Sequence, residues 1–239
     1  MERYNEEYFI LGMPIETDIG TCHFIKVEDY PRLQPFMNYV KMSKLEIINE
    51  LHKDNKTGKH DMLIEVFQDD RVTLFQISGN LPSFNEAYSE VFSHVFNDDT
   101  IMNRISEDNF QQIRQLVMRM NCMKEELINP NPEIQRAWER SKRVKAQDAE
   151  MISFSDMATS ISVFGSKPSY NAIANLTIYQ FFMEYQRIAQ GFAYETATLF
   201  ATVSAEKMKI DSWSKHIDLY QEERHELSQG QFNEIKKAF

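Results

Sequence analysis

The sequence is poor in the two residues on which turn-rich β-structure depends. Among 239 residues there are seven glycines and seven prolines. An all-β sandwich needs many tight turns, and those turns favour glycine and proline. The scarcity disfavours such a fold, whereas 42% hydrophobic and 26% charged residues are typical of a globular protein with a substantial core.

Cysteine is nearly absent as well. Cys22 and Cys122 are the only two, and they lie far apart in the sequence. They match neither a CxxC motif nor the spacing of zinc ligands. We interpret them as buried free thiols of a protein in a reducing compartment.

Positive charge is in deficit, since 26 lysines and arginines face 36 aspartates and glutamates for a formal net charge of −10. Nucleic acids and anionic membranes both present negatively charged groups, and proteins bind them through a basic surface. The negative net charge therefore disfavours both as partners. No apolar run reaches the ~20 residues of a membrane span. The acidic start, MERYNEEYFILGMP, lacks the positive end of a signal peptide. We therefore expect a cytoplasmic protein.

Motifs for catalysis are also missing. The chain has no Gly-x-Ser-x-Gly, no Gly-x-x-x-x-Gly-Lys-Ser/Thr and no Gly-x-Gly-x-x-Gly. Glu222 and His225 form one Glu-x-x-His step, but a di-iron bundle needs two. We interpret this segment as a solvated helix end and expect no catalytic residue, no cofactor and no bound metal.

What the sequence does contain is helical periodicity. The pattern predicts a mainly α-helical, bundle-like protein with a small strand-containing (α+β) N-terminal part. In that part Tyr8–Leu11 and Thr21–Val27 are predicted strands that pair as a hairpin. The prolines at Asn129–Pro132 indicate a boundary. It divides the chain into an N-terminal α+β part, 1–128, and a C-terminal helical part, 129–239.

Local signals divide the C-terminal part into helices. Ser153 with Asp156 predicts a capping box, and Asn175 or Thr177 predicts the start of a strong helix. Gly191 is the predicted C-terminal stop of that helix. A ridge of small side chains that would let another helix approach closely is formed by Ala193, Ala197, Ala201 and Ala205. A further short helical stripe is predicted from Ile210, Trp213, Ile217 and Tyr220.

Residues suited to binding a partner cluster in the charged helix predicted from Glu133 to about Glu150. Its apolar side is narrow, so Trp138 is the better interface anchor of the two tryptophans. The candidate partner-binding residues are Trp138, Arg136, Arg140, Arg143 and Trp213. The alternative is that the tryptophans are core residues and that the arginines form a solvated face with neighbouring glutamates.

Several stretches resemble tail-assembly proteins of bacteriophages that infect Gram-positive hosts. They are residues 129–145 (NPNPEIQRAWERSKRVK), 175–182 (NLTIYQFF) and 212–219 (SWSKHIDL), with 11–15 (LGMPI) and 23–31 (HFIKVEDYP) near the N-terminus. The resemblance implies a small acidic helical chaperone without catalytic residues, which escorts a tail component such as the tape-measure protein.

The resemblance implies a phage tail morphogenesis protein, and the missing catalytic motifs and signal peptide predict that it is non-enzymatic and acts in the host cytoplasm. It would bind the tape measure or another tail component through helical apolar faces. Such faces are also compatible with a homo-oligomer. The main alternative is a structural component of the tail, baseplate or neck of the virion. A small metalloenzyme and an inhibitor of host defences are further alternatives.

Overall fold

The structure is a computed structural model. It describes residues 6–55, 58–129, 132–148, 152–165, 169–204 and 210–220. Eleven α-helices lie in this part of the chain: α1 Glu6–Ile10, α2 Tyr30–Val40, α3 Lys44–Asp54, α4 Asp61–Gln68, α5 Leu74–Asn80, α6 Pro82–Phe96, α7 Glu107–Met120, α8 Pro132–Asp148, α9 Phe154–Phe164, α10 Tyr170–Ala174 and α11 Ile178–Val203. The predicted fold class, mainly α with a small N-terminal strand part, is confirmed.

The strand part is a two-stranded antiparallel hairpin of β1, Ile15–Thr17, and β2, Gly20–Cys22. Ile15 lies opposite Cys22 in the register. The prediction of a strand at Tyr8–Leu11 is wrong, because that segment forms α1 and its following turn. Only Phe9 of α1 is buried, and its ring packs edge-on against Phe24 at 5.5 Å between centroids. One buried residue on a single helical turn is enough to hold this segment, so it does not need the alternating buried and exposed residues of a strand.

The core is centred on α6, which packs against α2, α5 and the hairpin. Seven residues of α6 are buried: Phe84, Ala87, Tyr88, Val91, Phe92, Val95 and Phe96. Their spacing places them on one broad side of the helix. The helix ends at Asn97, which adopts the left-handed conformation at φ 50° that asparagine tolerates better than most residues.

The C-terminal helices dock on the segment that precedes α2. The Ile178 N–H donates to the Ile25 carbonyl at 2.9 Å, and the Val27 N–H donates to the Leu176 carbonyl at 2.9 Å. The ring of Phe154 stacks on both Tyr30 and Phe181, at 4.5 and 4.3 Å between centroids. The predicted boundary between residues 128 and 129 stays a prediction.

The longest described helix is α11, with 26 residues. It begins with the Thr177–Gln180 capping box, so the predicted start is confirmed. The predicted stop at Gly191 is wrong. A side-chain carbon at Gly191 would meet nothing within 4 Å and its φ is not left-handed, so this glycine is an ordinary helical residue. The alanines that follow favour the helix, which continues to Val203.

The segment 210–220 returns along α11 without forming a helix, so the helical stripe predicted there is wrong. The side chain of Arg187 donates to the carbonyls of Trp213 and Lys215, at 3.0 and 2.9 Å. Gln190 donates to the Ser212 carbonyl at 2.9 Å. Because side chains of α11 satisfy these carbonyls, the segment holds its place without helical hydrogen bonds of its own.

Candidate partner-binding surfaces

The first candidate surface lies beside α8. This helix begins at Pro132, where a first-turn proline lacks only an N–H that would be unsatisfied anyway. Gln135 is buried, and its side-chain oxygen accepts the Asn129 N–H at 2.8 Å. Glu139 forms an ion pair with Lys53 of α3 at 3.3 Å. These contacts fix one side of α8 against the rest of the protein.

An open groove of about 360 Å³ runs along this contact. It is lined by Lys53, Glu126, Leu127, Gln135, Trp138, Glu139, Lys142 and Arg143. Its apolar part consists of Trp138, 43% exposed, and Leu127, 60% exposed. A second ion pair, Lys142 with Glu126 at 3.7 Å, borders it. We call this site the Trp138 groove.

The three arginines of α8 are all exposed, and in the described part of the chain none of them forms an ion pair. A helix turns about 100° per residue, so Arg136 and Arg140, each two residues from Trp138, point away from the groove. Arg143 alone of the three joins Trp138 at the groove. The structure therefore separates a basic side of α8 from its tryptophan.

Trp213 lies on a different element. It belongs to the segment that Arg187 and Gln190 hold against α11, and its side chain is 59% exposed. The same segment ends at Tyr220, whose ring lies under the Arg119 guanidinium at 5.4 Å. The two tryptophans thus occupy separate surfaces, each partly open to solvent.

A second candidate surface lies on α11, which includes Ala193, Ala197 and Ala201 of the predicted ridge of small side chains, while Ala205 lies outside the described residues. The side of α11 that packs in the core near Ile178 and Phe181 continues past Ile188, where it is largely exposed to solvent in the described structure. There Phe192, Leu199, Phe200 and Val203 are 45, 70, 60 and 82% exposed. Val163 and Phe164 of α9 widen this patch, since the Phe164 ring packs edge-on against Phe192 at 4.9 Å. We call these six residues the α11 strip.

Both cysteines are free, as predicted. Burial raises the pKa of the Cys22 thiol to about 12. Burial also raises the pKa of the Cys122 thiol to about 12. Because the thiolate is the reactive form, neither group is suited to nucleophilic chemistry near neutral pH.

The remaining sequence candidates give no site in the described part of the chain. Glu222 and His225 lie outside the described residues. Within the described ranges no three histidine, cysteine or acidic side chains are grouped so as to hold a metal ion. None of the helices described here has both the length and the apolar content needed to cross a bilayer.

The geometry thus defines a mainly helical protein with two open apolar surfaces. Two family models match the chain: the YomV N-terminal domain over residues 4–130 and the YomV second domain over residues 144–218. A relative from Bacillus subtilis (strain 168), the SPbeta prophage-derived uncharacterized protein YomV, is 35% identical over 236 residues, which cover 98% of each chain. The chain belongs to the YomV family, and the phage origin implied by the resemblance is confirmed. No solved structure matches it.

Proposed function

We propose that the protein acts in phage tail morphogenesis, without enzymatic activity, by binding a helical segment of a tail component such as the tape-measure protein. Its place of action would be the host cytoplasm. Membership of a prophage-derived family supports a role in the phage life cycle. The resemblance of residues 129–145 to tail-assembly proteins supports the tail in particular, and those residues include most of α8.

The observation that carries the proposal is the Trp138 groove. Protein interfaces have an apolar centre with a polar rim, and tryptophan is enriched among the residues that contribute most to affinity. Here Trp138 and Leu127 form the centre. The ion pairs Lys53–Glu139 and Lys142–Glu126 supply the rim. An apolar side chain from a partner helix would fill the groove and remove Trp138 from water.

Copurification tests this proposal. The protein is expressed with the tape-measure protein of the same phage, and the complex is recovered through a tag on the tape measure. Truncation of a central interface tryptophan costs about 2 kcal/mol, so Trp138→Ala should weaken binding about 30-fold. Tyr170→Ala is the matched control, because Tyr170 is a comparably exposed aromatic residue on α10. Equal recovery of the wild type and Trp138→Ala would contradict the proposal.

Mass spectrometry of purified phage particles tests whether the protein is an assembly factor. A chaperone leaves the tail when assembly is complete, so its peptides should be missing from finished particles and present in infected-cell lysates. Stoichiometric amounts in finished particles would instead make it a structural component of the tail, baseplate or neck. Trp213→Ala in the same copurification assay shows whether the segment 210–220 contributes to binding.

A further inference from the structure

The α11 strip is the exposed continuation of a side that is buried elsewhere in the same helix. At 1.5 Å per residue, α11 is roughly 39 Å long. Only its first half lies in the core, where Ile178, Tyr179 and Phe181 are buried. The apolar side keeps its helical spacing through Val203, although in the described structure Leu199, Phe200 and Val203 stay mostly exposed and Phe192 is covered only in part, by Phe164. Its sequence is therefore suited to contact with another protein surface.

The extent of the strip matches that of a protein interface. If a large apolar side chain offers about 200 Å² when fully exposed, the six residues of the strip expose on the order of 700 Å² together. Patches above a few hundred Å² on a soluble protein mark interaction sites. A stable two-protein interface buries about 800 Å² on each partner. The strip supplies most of that area.

The spacing of residues along α11 is symmetric about Thr196. Positions three, four and seven residues on either side of Thr196 carry Ala189, Phe192, Ala193, Leu199, Phe200 and Val203. In an antiparallel pair with its two-fold axis at Thr196, Leu199 would meet Ala193 of the second copy. Val203 would meet Ala189 in the same way, and Phe192 would meet Phe200. In the Leu199–Ala193 and Val203–Ala189 pairs a large residue faces a small one, which is the complementarity that close helix packing requires. The Phe192–Phe200 pair brings two aromatic rings together, an arrangement that favours edge-on or offset packing.

Charge on this part of α11 does not oppose such a contact. From Ile188 to Ser204 the only charged residue is Glu195. It lies one residue before Thr196, about 100° around the helix, and so at the edge of the contact. The whole chain carries a net charge of −10, which makes most of its surface self-repelling. The two-fold axis places both Glu195 side chains at one edge of the contact, where they are exposed to solvent, so the centre of the contact buries no charge.

The neighbouring segment leaves the strip open. Arg187 and Gln190, which hold residues 210–220, lie nine and six residues before Thr196, respectively. At 100° per residue, the side chains of Arg187 and Gln190 both lie more than about 100° from Thr196 around the axis of α11, and so away from the strip. Phe164 adds to the strip at Phe192, the end at which Phe200 of the second copy would arrive.

We propose that two copies of this chain form a symmetric dimer through antiparallel pairing of the exposed halves of α11. The proposal is independent of the partner at the Trp138 groove, since the two surfaces share no residue. It predicts that the full chain alone, with no phage protein added, has twice its monomer mass at micromolar concentration.

Sedimentation velocity of three full-length proteins tests the dimer. The wild type should sediment as a dimer, and Leu199→Glu as a monomer, because the pairing would bury an uncompensated carboxylate in each copy. That cost should raise the dissociation constant more than about 100-fold. Met62→Glu is the matched control, because Met62 is an apolar residue of α4 that is 80% exposed and lies outside the strip. It should remain a dimer.

Disulfide trapping tests the axis. Helices packed 8–10 Å apart, with Cα atoms at a radius of about 2.3 Å, bring facing residues within the reach of a disulfide. Thr196→Cys should therefore crosslink to its own copy under mild oxidation. Thr198→Cys, about 200° further around α11, should not. Equal crosslinking of the two variants would overturn the proposed pairing.

Other occupants of the strip would give different results. If residues 221–239 of the same chain covered it, the wild type would be a monomer and Leu199→Glu would lower its urea midpoint. If a different protein covered it, the wild type would be a monomer and the substitution would leave the midpoint unchanged. A monomeric wild type overturns the proposal in either case. Neither result bears on copurification through Trp138, so the two proposals fail separately.

Discussion

Replacement of Arg114 by methionine should destabilise the protein more than any substitution of an exposed charge. Arg114 lies on α7 with its side chain fully buried. Its Nε donates at 2.9 Å to both the Val40 carbonyl and the Tyr88 hydroxyl, and Nη2 donates to the Met42 carbonyl at 3.1 Å. Nη1 forms an ion pair with Glu125. One side chain thus ties the end of α2 to α6, α7 and the segment after α7.

The magnitude follows from the acceptors that methionine would leave without a donor. A buried polar group without a partner costs about 1–3 kcal/mol, and two carbonyls at the end of α2 lose their donor. The Tyr88 hydroxyl still donates to the Val40 carbonyl at 3.3 Å, which offsets part of that loss. Glu125 is 41% exposed and returns to water at little cost. We therefore expect Arg114→Met to lower the free energy of unfolding by about 3–4 kcal/mol.

Urea unfolding followed by far-ultraviolet circular dichroism measures this loss. Arg114→Lys retains a charge but lacks the planar fork that reaches four acceptors, so it should fall between the wild type and Arg114→Met. It keeps the test interpretable if Arg114→Met does not fold. Arg71→Met is the control, because the ion pair of Arg71 with Asp69 lies on the surface. An Arg114→Met midpoint equal to that of Arg71→Met would refute the reasoning.

Three further substitutions test other parts of the structure. Tyr220→Ala should speed the reaction of Cys122 with a thiol reagent in the folded protein, because it removes a side chain beside the thiol and so lessens the burial that raises its pKa. Cys22, which is fully buried, stays protected as an internal reference. Burial, and to a smaller extent nearby acidic residues, raises the pKa of Glu46 above its ordinary value of 4.5. The protonated carboxyl is therefore favoured in the folded state, and this contribution to stability is fully present below pH 4.5 and is lost as the pH rises through the raised pKa. Glu46→Gln should therefore raise the urea midpoint at pH 7 and leave it unchanged in more acidic solution. Phe154→Ala should lower the free energy of unfolding by about 2–3 kcal/mol in urea titration, because it removes the ring between Tyr30 and Phe181.

Local chemistry explains the parts of this fold that the sequence predicts well. A capping box depends on two side chains three residues apart, so Ser153 with Asp156 predicts a helix start wherever the helix packs. Thr177 has the same local support from Gln180. The apolar side of a helix is predictable for a similar reason, because a helix completes a turn about every 3.6 residues and the positions on one side are therefore close in the sequence.

Long-range contacts explain the parts that it does not predict. The apolar spacing of α11 is the same around Phe181 and around Leu199, yet one is buried and the other exposed. What covers a side depends on distant elements, and no local pattern contains that information. The apolar residues of segment 210–220 have helical spacing, but its backbone is not helical. Arg187 and Gln190 donate hydrogen bonds to its carbonyls, and these contacts with α11 stabilise the non-helical conformation.

The candidate surfaces follow the same distinction. The sequence identifies Trp138 because its helix has few other apolar residues. The structure adds Leu127, which precedes α8 and therefore has no place in its helical pattern, but which lines the same groove. Similarly, the sequence groups Arg136, Arg140 and Arg143 by their spacing, whereas only the groove geometry separates Arg143 from the other two. Whether these residues bind a partner stays a prediction.

The two proposed surfaces have a joint consequence, because they lie on different helices and share no residue. A dimer paired through the α11 strip would carry two Trp138 grooves. A partner that offers the recognised segment only once would bind the dimer and the Leu199→Glu monomer with equal affinity. A partner that repeats the segment at a span matching the two grooves would bind the dimer about 10²–10⁴-fold more tightly, since the second contact becomes intramolecular. The ratio of the two affinities therefore reports whether the natural partner presents one segment or several.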